Sequence, residues 1–555
     1  MTDLRGSYNL IGPPGTGKTT SLSAQVRKLV EEYGSDSVLI ASLTRAAAAE
    51  IAGRHLPIPR QMIGTLHAHC YHALGCPELT ESKISEWNRE GGASRFQMTE
   101  SGGENIDDAF PERVGRLAGD EALQEYQLLR VKMIHRETWP VKIKTFAERW
   151  ENWKNQNSYY DFVDLIDYAY TDINHAPGNP SFLIVDEAQD LDLLSVALIR
   201  KWSEHVQATI YAGDPWQTIY DWRGSDPCAL DYIQESNHVK VLEQSYRLPR
   251  AVHRYAMKWM EKHLYGYKEI QFKPRDEEGS VEYLPSMNYK TPLHVADLAG
   301  QHTDRGKSVM VLGTCSYHVY DIVAALKHLG IPFKNPFRST RGDWNPLSNR
   351  GTSMSDRFIS FFGSDKLFYP DKPRKPGTLP WSIEDLKNFT EIMKSSTCLK
   401  LGAKKSIALL NDHDTYTLDD LSFWFTDEAL AALLRGDVEF LSKNIIESKQ
   451  KQAKYPLEII CRYGVERLVK SINKDKNFTG MVCPGTIHSV KGAEASVVII
   501  CPDISQAAYR MLKDSSEQKN SVIRLFYVGM TRAKEELILL GSAGNDPYVP
   551  WPSIA

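Results

Sequence analysis

The sequence predicts an α/β protein with two parallel-sheet blocks, each interrupted by a mainly helical insertion. Three observations carry that prediction. Asn9 to Thr20 reads as a strand end, a glycine-rich loop and a helix start. Short apolar runs such as Val38 to Ser42 and Phe182 to Val185 have the unbroken character of strands buried on both faces of a parallel sheet. The same strand-then-helix rhythm returns at Val309 to Leu329 and again from Gly485, after stretches that lose it. At 555 residues the chain is too long for one core, and length alone gives about three to four domains.

The first element is a phosphate cradle. Gly12, Gly15 and Gly17 let the backbone turn tightly and aim successive N–H groups at phosphate oxygens, and the positive end of the following helix points the same way. Lys18 then reaches the β- and γ-phosphates, and the Thr19 hydroxyl holds Mg²⁺. All four fixed positions of G-x-x-x-x-G-K-[ST] are filled between an apolar run and a helical pattern, the context that separates the motif from a fortuitous glycine turn. Val38 to Ser42 completes a βαβ unit. Leu43 to Ile51 is a polar turn leading into an alanine-rich helix, and Gly64 to His69 a strand end followed by a helix with Cys70, Tyr71 and Leu74. His67 taken by itself is more readily structural than functional.

Residues 77–153 turn charged and helical, with a Gly/Ser-rich break from Gly91 to Gly103, and read as an inserted subdomain. Amphipathic character resumes at Tyr160 to Ile166. Phe182 to Asp190 is a continuous apolar strand ending in acidic residues, at the carboxyl edge of a parallel sheet where open α/β folds bind ligands. There Asp186 is placed to hold Mg²⁺ through water, and Glu187 to orient and deprotonate the attacking water; the bland alternative is a solvated acidic loop. Ala208 to Asp214 is another strand. After it, Trp216, Tyr220, Trp222 and Arg223 crowd a short segment in which Tyr220 and Trp222 offer a sequence-tolerant platform, worth roughly 1–3 kcal/mol per stacked base. In isolation such a cluster reads more readily as core packing. Gln217, nearer the strand end, is placed to sense the γ-phosphate.

Val239 to Pro249 is a strand running into a helix start, and Val309 to Leu312 with the helix Val319 to Leu329 begins the second block. From Lys334 to about Lys476 the rhythm is lost: Pro, Gly and charge dominate until Pro380, and a helical pattern starts at Ile383. Gly485 to Glu494, the strand Val497 to Cys501, the run Arg524 to Lys534 and the strand Glu536 to Leu540 close the chain. An Arg in that last run is placed to stabilise charge on a transferring phosphate.

Composition narrows the function classes. With 42% apolar and 25% charged residues, and no apolar run near the roughly 20 residues a bilayer requires, no membrane role is expected. Met1 to Tyr8 has no apolar h-region, so no secretory signal and a cytosolic (cytoplasmic) site of action are expected. Eight cysteines without a C-x-x-C pair argue against zinc, iron–sulfur or a redox couple and for reduced, partly buried thiols. A net charge of −4 argues against a basic nucleic-acid coat, so a DNA or RNA partner must bind in a local channel.

These blocks, in this order and over nearly the whole chain, resemble the motifs of the UvrD/Rep/PcrA family of superfamily 1 DNA helicases. Thr486-Ile487-His488-Ser489-Val490-Lys491-Gly492 and Leu525-Phe526-Tyr527-Val528-Gly529-Met530-Thr531-Arg532-Ala533 are far more specific than the phosphate loop, which very many NTPases share. The resemblance implies two RecA-like motor domains, over 1–76 with 154–245 and over 246–334 with 477–555, and insertions over 77–153 and 335–476. It implies an ATP-dependent translocase and 3′–5′ helicase on single-stranded DNA and its junctions with duplex, working with replication or repair proteins. ATP and Mg²⁺ are the implied cofactors, with nucleotide contacts from Gly12, Gly15, Thr16, Gly17, Lys18, Thr19 and Thr20. Asp186 and Thr19 would serve Mg²⁺, Glu187 the water and Gln217 the γ-phosphate. Arg247 and Arg532 would be paired arginine fingers, Tyr246 would stack on adenine and Glu494 would bond the ribose. On the nucleic acid, Thr65 and His67 would touch backbone, Tyr220 and Trp222 would stack on bases, and Thr486 and His488 would grip the strand. The family mechanism closes two domains around ATP, with Lys18 and Asp186 on one and Arg532 on the other.

Three departures from the family pattern carry their own expectations. Only about ten residues precede Gly12, too few for the upstream glutamine segment that reads adenine, and Thr20 stands where many members have an Arg near the base, so relaxed base selectivity is expected. Leu43 stands where a DNA-stacking Phe is usual, which removes one stacking contact. The given sequence ends soon after the last motif, and no nuclease domain is expected. Two other functions share the same ATPase residues: a DNA-stimulated ATPase that displaces bound proteins with little unwinding, and an RNA or 5′–3′ motor.

Overall fold

β1 (Gly6–Ile11) is short because Gly12 ends it, and its buried Leu10 and Ile11 place it inside a sheet. The computed structural model describes residues 6–43, 45–90, 95–100, 117–220, 224–225, 229, 238–335, 343–344, 381–410, 415–435, 440, 444, 480–514, 516–544 and 547–554. Two compact units divide the chain, the first formed by Met1–Ser286, Leu312–His318 and Thr486–Ala555, the second by Met287–Val311 and Val319–Gly485. Among the described residues no helix is long and apolar enough to cross a membrane.

In the first unit β1 is followed by α1 (Lys18–Tyr33), β2 (Val38–Ser42), α2 (Arg45–Ala52), β3 (Ile63–Thr65) and α3 (Leu66–Ala73). After the inserted region come α7 (Phe162–Asp172), β6 (Phe182–Asp186), α8 (Leu193–Ser203), β7 (Ala208–Gly213) and β8 (His238–Val241). The six strands pair in the order β3-β2-β6-β7-β1-β8, parallel throughout. β2, β6 and β7 are buried at every position, as their unbroken apolar runs require. Because the strands are parallel, the ends of β1, β6 and β7 fall on one edge: Ser42 pairs with Asp186, Asp186 with Ala212, and Ile11 with Gly213. That edge collects the phosphate loop, the acidic turn and the Gln217 turn.

The described residues between α3 and α7 form a mainly helical segment with β4 (Glu78–Leu79), α4 (Ile84–Glu90), α5 (Ala118–Val131) and α6 (Val141–Asn157), β4 pairing with β5 (Tyr159–Tyr160). Its core is aromatic: Trp87, Phe96, Tyr126, Phe146 and Trp150 are essentially inaccessible. A buried ionic cluster ties these helices to α7. Lys154 on α6 binds Asp161 at 2.6 Å and also Asp164, while Arg130 on α5 binds Asp164 at 2.8 Å and Asp167 at 2.6 Å. Asp161 also caps α7 by accepting from Asp164 N at 2.9 Å.

Later segments of the first unit supply α9 (Arg250–His263), β9 (Ser280–Leu284), and, after the second unit, β16 (Ala495–Ile500), α16 (Gln506–Asp514), α17 (Ser516–Met530) and β17 (Ala533–Leu540). β17 lies between β16 and β9, parallel to both. It begins earlier than the sequence pattern gives, at Ala533 rather than Glu536, because Ala533 already pairs with Ala495.

The second unit carries α10 (Pro292–Asp304), β11 (Phe333–Lys334), β12 (Asp343–Trp344) and the larger parts of β10 (Val309–Gly313), α11 (Tyr317–His328) and β15 (Val482–Thr486). β11 pairs parallel with β15 and antiparallel with β12, and Val309 N donates to Met481 O at 3.0 Å. Within 335–476 the described elements are β13 (Trp381–Ser382), α12 (Ile383–Ile392), α13 (Ala403–Ala408), β14 (Thr415–Tyr416), α14 (Leu418–Leu421) and α15 (Asp427–Arg435). The helical pattern does start at Ile383. The described cysteines are all free thiols, and all are buried except Cys76; Cys228 and Cys461 lie outside the described residues.

Candidate nucleotide and nucleic-acid site

The phosphate loop has no room for a side chain at Gly12 or Gly15. A Cβ on Gly12 would sit 2.8 Å from Lys18 Cβ, and one on Gly15 only 2.3 Å from Arg247 Cβ. Gly15 and Gly17 adopt φ of 73° and 77°, which glycine alone adopts without cost. Gly17 caps α1 with no side-chain bond, so the first N–H groups of the helix stay open to an anion. Thr16 folds its hydroxyl back onto Pro13 O at 2.8 Å. Thr19 lies in the first helical turn, and Thr20 accepts from Arg54 Nη1 at 3.1 Å.

Lys18 reaches across to the acidic turn. Its Nζ lies 2.5 Å from Glu187 Oε1 and 3.3 Å from Asp186 Oδ1. Burial opposes the lysine charge, but Asp186 and Glu187 outweigh it and raise the group above the ordinary lysine range. Burial likewise opposes the Glu187 carboxylate, and Lys18 followed by Lys491 overcomes it, holding the group down at about 2. Asp186 is pushed up, by burial first and by Glu187. Glu187 sits at φ 57°, a left-handed conformation rare for a side chain that size, and it starts the short turn Ala188–Asp190.

That turn and the one after β7 interlock. Gln189 donates to Glu187 Oε2 at 2.6 Å and accepts from Asp214 N at 3.1 Å. Gln217 donates to Asp214 Oδ2 at 2.7 Å, and Arg532 Nη2 donates to Gln217 Oε1 at 2.9 Å. Arg532 is 1% exposed, its Nε held by Val528 O at 2.9 Å and its Nη1 by Ala493 O at 3.3 Å. Burial, then Arg247, pulls its guanidinium down to about 9, still charged at neutral pH. Arg247 Nε donates to Glu494 Oε2 at 2.9 Å, and Lys534 holds the other oxygen at 3.0 Å. Tyr246 donates its backbone N–H to Gly15 O at 2.8 Å and leaves its ring 72% exposed beside the loop. Ser245 Oγ ties the same strand end to Pro14 O at 2.7 Å. Lys18, Asp186, Glu187, Gln217, Tyr246, Arg247, Glu494 and Arg532 thus surround one loop within one compact unit.

The donor set fits a small hard cation. Asp186 Oδ1 is buried and, beyond the Lys18 ammonium at 3.3 Å, has no hydrogen-bond partner, and Thr19 supplies a hydroxyl. Among the described residues no trio of His, Cys, Asp or Glu forms a cage. One carboxylate with a hydroxyl suits Mg²⁺, which takes the rest of its shell from water and substrate phosphates.

The residues assigned to nucleic acid are placed less uniformly. Tyr220 is half-buried, with His488 at 6.2 Å between ring centroids and Lys491 Nζ 4.9 Å above its ring. His488 is 5% exposed and Thr486 1%, the latter accepting from Ser489 N at 3.4 Å. Thr65 caps α3 through its hydroxyl, which accepts from Ala68 N at 3.1 Å, and His67 stands edge-on to Phe162 at 5.9 Å. Trp222 lies outside the described residues. Trp216, the third aromatic of that segment, is buried packing.

Sequence reasoning passed over four members of the site: Gln189, Asp190, Asp214 and Lys491. Lys491 Nζ pairs with Asp190 and donates to Gln217 O at 2.8 Å. Burial pushes Asp190 and Asp214 up to about 6 each. The signal available was position, since Asp190 closes the acidic run and Asp214 ends β7 at the same sheet edge as Asp186.

The chain is similar to known helicases. Residues 1–238 match the family model for the UvrD/REP helicase N-terminal domain, and residues 482–540 the model for the UvrD-like helicase C-terminal domain. The chain is 21% identical to a probable DNA helicase II homolog of Mycoplasma pneumoniae, over 97% of this chain and 82% of that protein. It is 21% identical to the ATP-dependent DNA helicase Rep of Buchnera aphidicola subsp. Baizongia pistaciae, over 97% and 89%. Against the ATP-dependent DNA helicase PcrA of Bacillus subtilis it is 22% identical, over 70% and 59%. With both family models matched in order, and a phosphate loop, acidic turn and arginines converging on one sheet edge, the chain belongs to the UvrD/Rep helicase family.

Proposed function

We propose that the protein is an ATP-dependent DNA helicase that translocates 3′ to 5′ on single-stranded DNA and couples ATP hydrolysis to strand separation. The observation that carries this reading is the chain of contacts from Lys18 through Glu187 to Gln189, and from Asp214 through Gln217 to Arg532. It gathers a phosphate-binding lysine, a carboxylate base, a polar sensor and a buried arginine at one loop. Phosphoryl transfer needs positioning and charge neutralisation more than covalent chemistry, and these residues supply both.

Lys18 binds the β- and γ-phosphates once the nucleotide competes it away from Asp186 and Glu187. Asp186 and Thr19 would hold Mg²⁺, which when bound would neutralise charge on the phosphates. Glu187, released from Lys18, accepts the proton of the attacking water, while Gln217 and Arg532 hold the γ-phosphate. Arg247 adds a second positive charge, Tyr246 stacks on the base and Glu494 bonds the ribose. Tyr220 and Trp222 stack on bases of the strand, with Thr65, His67, Thr486 and His488 on its backbone.

The test is steady-state ATP hydrolysis with and without single-stranded DNA, in wild type and Lys18→Ala. Strong stimulation by DNA that vanishes in the variant supports a coupled motor, and tailed duplexes with either overhang then report polarity. Hydrolysis indifferent to DNA would refute the coupling.

A further inference from the structure

Gln217 is gripped by Asp214 and Arg532, and an aromatic contact beside it has no role in the reading above. Trp216 immediately precedes Gln217 and is 4% exposed. Its ring meets Tyr527 edge-on, with centroids 5.5 Å apart at 90°, and stacks on Tyr267 at 5.6 Å and 26°. The Trp216 backbone N–H donates to Asp214 Oδ1 at 3.0 Å, while Gln217 Nε2 donates to Oδ2 of the same carboxylate at 2.7 Å. Trp216 and Gln217 therefore share one short turn, Pro215–Gln217, and one anchor.

The other side of the contact is equally tied to the arginine. Tyr527 lies on α17 (Ser516–Met530), and its carbonyl accepts from Thr531 N at 3.0 Å. Arg532 Nε returns to Val528 O at 2.9 Å, so the Tyr527 ring and the Arg532 guanidinium are carried by one turn of backbone. Tyr527 is completely buried, and its hydroxyl has no hydrogen-bond partner among the described residues, so the ring rather than the hydroxyl is what the site uses. A close-packed interior transmits such a contact without slack.

We propose that the Trp216–Tyr527 contact is a spacer that holds Gln217 and Arg532 at their working separation, which makes Trp216 a positioning residue for ATP hydrolysis acting through Gln217. The proposal rests on the assignment of Gln217 and Arg532 to the γ-phosphate. Shrinking Trp216 opens a cavity into which the short turn can sink, and a shift of about 1 Å in a positioning group costs about 100-fold in rate. ATP affinity, set by the phosphate loop, moves far less.

The experiment measures kcat and KM for DNA-stimulated ATP hydrolysis in wild type, Trp216→Ala, Trp216→Phe, Gln217→Ala and the double variant Trp216→Ala/Gln217→Ala. We expect Trp216→Ala to lose about 10- to 100-fold in kcat with KM within about threefold, and Trp216→Phe to recover most of the loss. In the Gln217→Ala background the same Trp216→Ala change should cost less than about twofold, since its route to the phosphate is already cut. Losses that multiply in the double variant overturn the proposal, as does full kcat in Trp216→Ala beside a crippled Gln217→Ala. Full kcat in Gln217→Ala overturns both the proposal and the γ-phosphate assignment beneath it. If Trp216→Ala does not fold, Trp216→Leu, closer in volume, carries the same comparison.

Discussion

Lys18 is held by two carboxylates, so a triphosphate bound at the loop would compete with Asp186 and Glu187 for it. The Lys18 ammonium holds the Glu187 carboxyl below the usual carboxylate range, so the base role proposed for it requires Lys18 to move off it. Replacing Glu187 by Gln keeps the size and a hydrogen bond to Gln189 and removes the base. Nucleotide binding should persist, or tighten slightly as Lys18 loses one partner, while kcat falls by about 10²- to 10⁴-fold. Fluorescent-nucleotide titration beside single-turnover hydrolysis separates the two effects. Normal turnover in this variant would show that another group takes the proton.

The elements around the site differ in how plainly the sequence announces them. β2, β6 and β7 are continuous apolar runs because both faces are covered, and such runs stand out in a sequence. The amphipathic character of Tyr160 to Ile166 was legible, yet the role of Asp161 and Asp164 as an ionic clasp was not, because Lys154 and Arg130 meet them only once α5, α6 and α7 have packed. The same limit hid Lys491 and Asp190, which lie far apart in sequence and meet only in the fold. The clasp predicts a large effect. Lys154→Ala leaves two buried carboxylates short of a cation and should cost about 3–5 kcal/mol, read as a lowered thermal midpoint, whereas an exposed pair such as Arg254 with Glu278 should cost under about 1 kcal/mol. Asp192 adds a pH effect. It caps α8 by accepting from Ser195 N at 2.7 Å, and burial lifts its carboxyl from 3.8 to about 6. The folded protein then binds that proton more tightly than the unfolded chain does, so this contribution is full below the ordinary carboxyl range and is lost as pH rises through 6. Asp192→Asn retains a cap oxygen and does not titrate. Denaturant unfolding between pH 4 and 7 should show a shallower fall in stability for the variant, by at most about 3 kcal/mol across the window.

At the scale of the whole molecule, the charge balance decides how a nucleic acid is held. A net charge of −4 means that the protein as a whole does not attract a polyanion, so a bound strand must be kept by short-range contacts. The described residues around Tyr220 fit that requirement. The ring carries Lys491 at 4.9 Å and His488 at 6.2 Å, but Lys491 is already paired with Asp190 and donates to Gln217 O, so among the described residues beside the ring its charge is already engaged. Stacking on such a ring is worth about 1–3 kcal/mol per base and releases no counterions. Each phosphate neutralised would contribute a slope of about −0.7 to log K against log salt for a single strand. A strand held mainly by stacking should therefore show a shallow slope, no steeper than about −3, together with an association rate that changes little as salt is lowered. Anisotropy titrations of a labelled single strand from low to moderate salt measure the slope, and stopped-flow mixing measures the rate. A slope beyond about −5 would mean that a basic channel, rather than the aromatic platform, carries the strand.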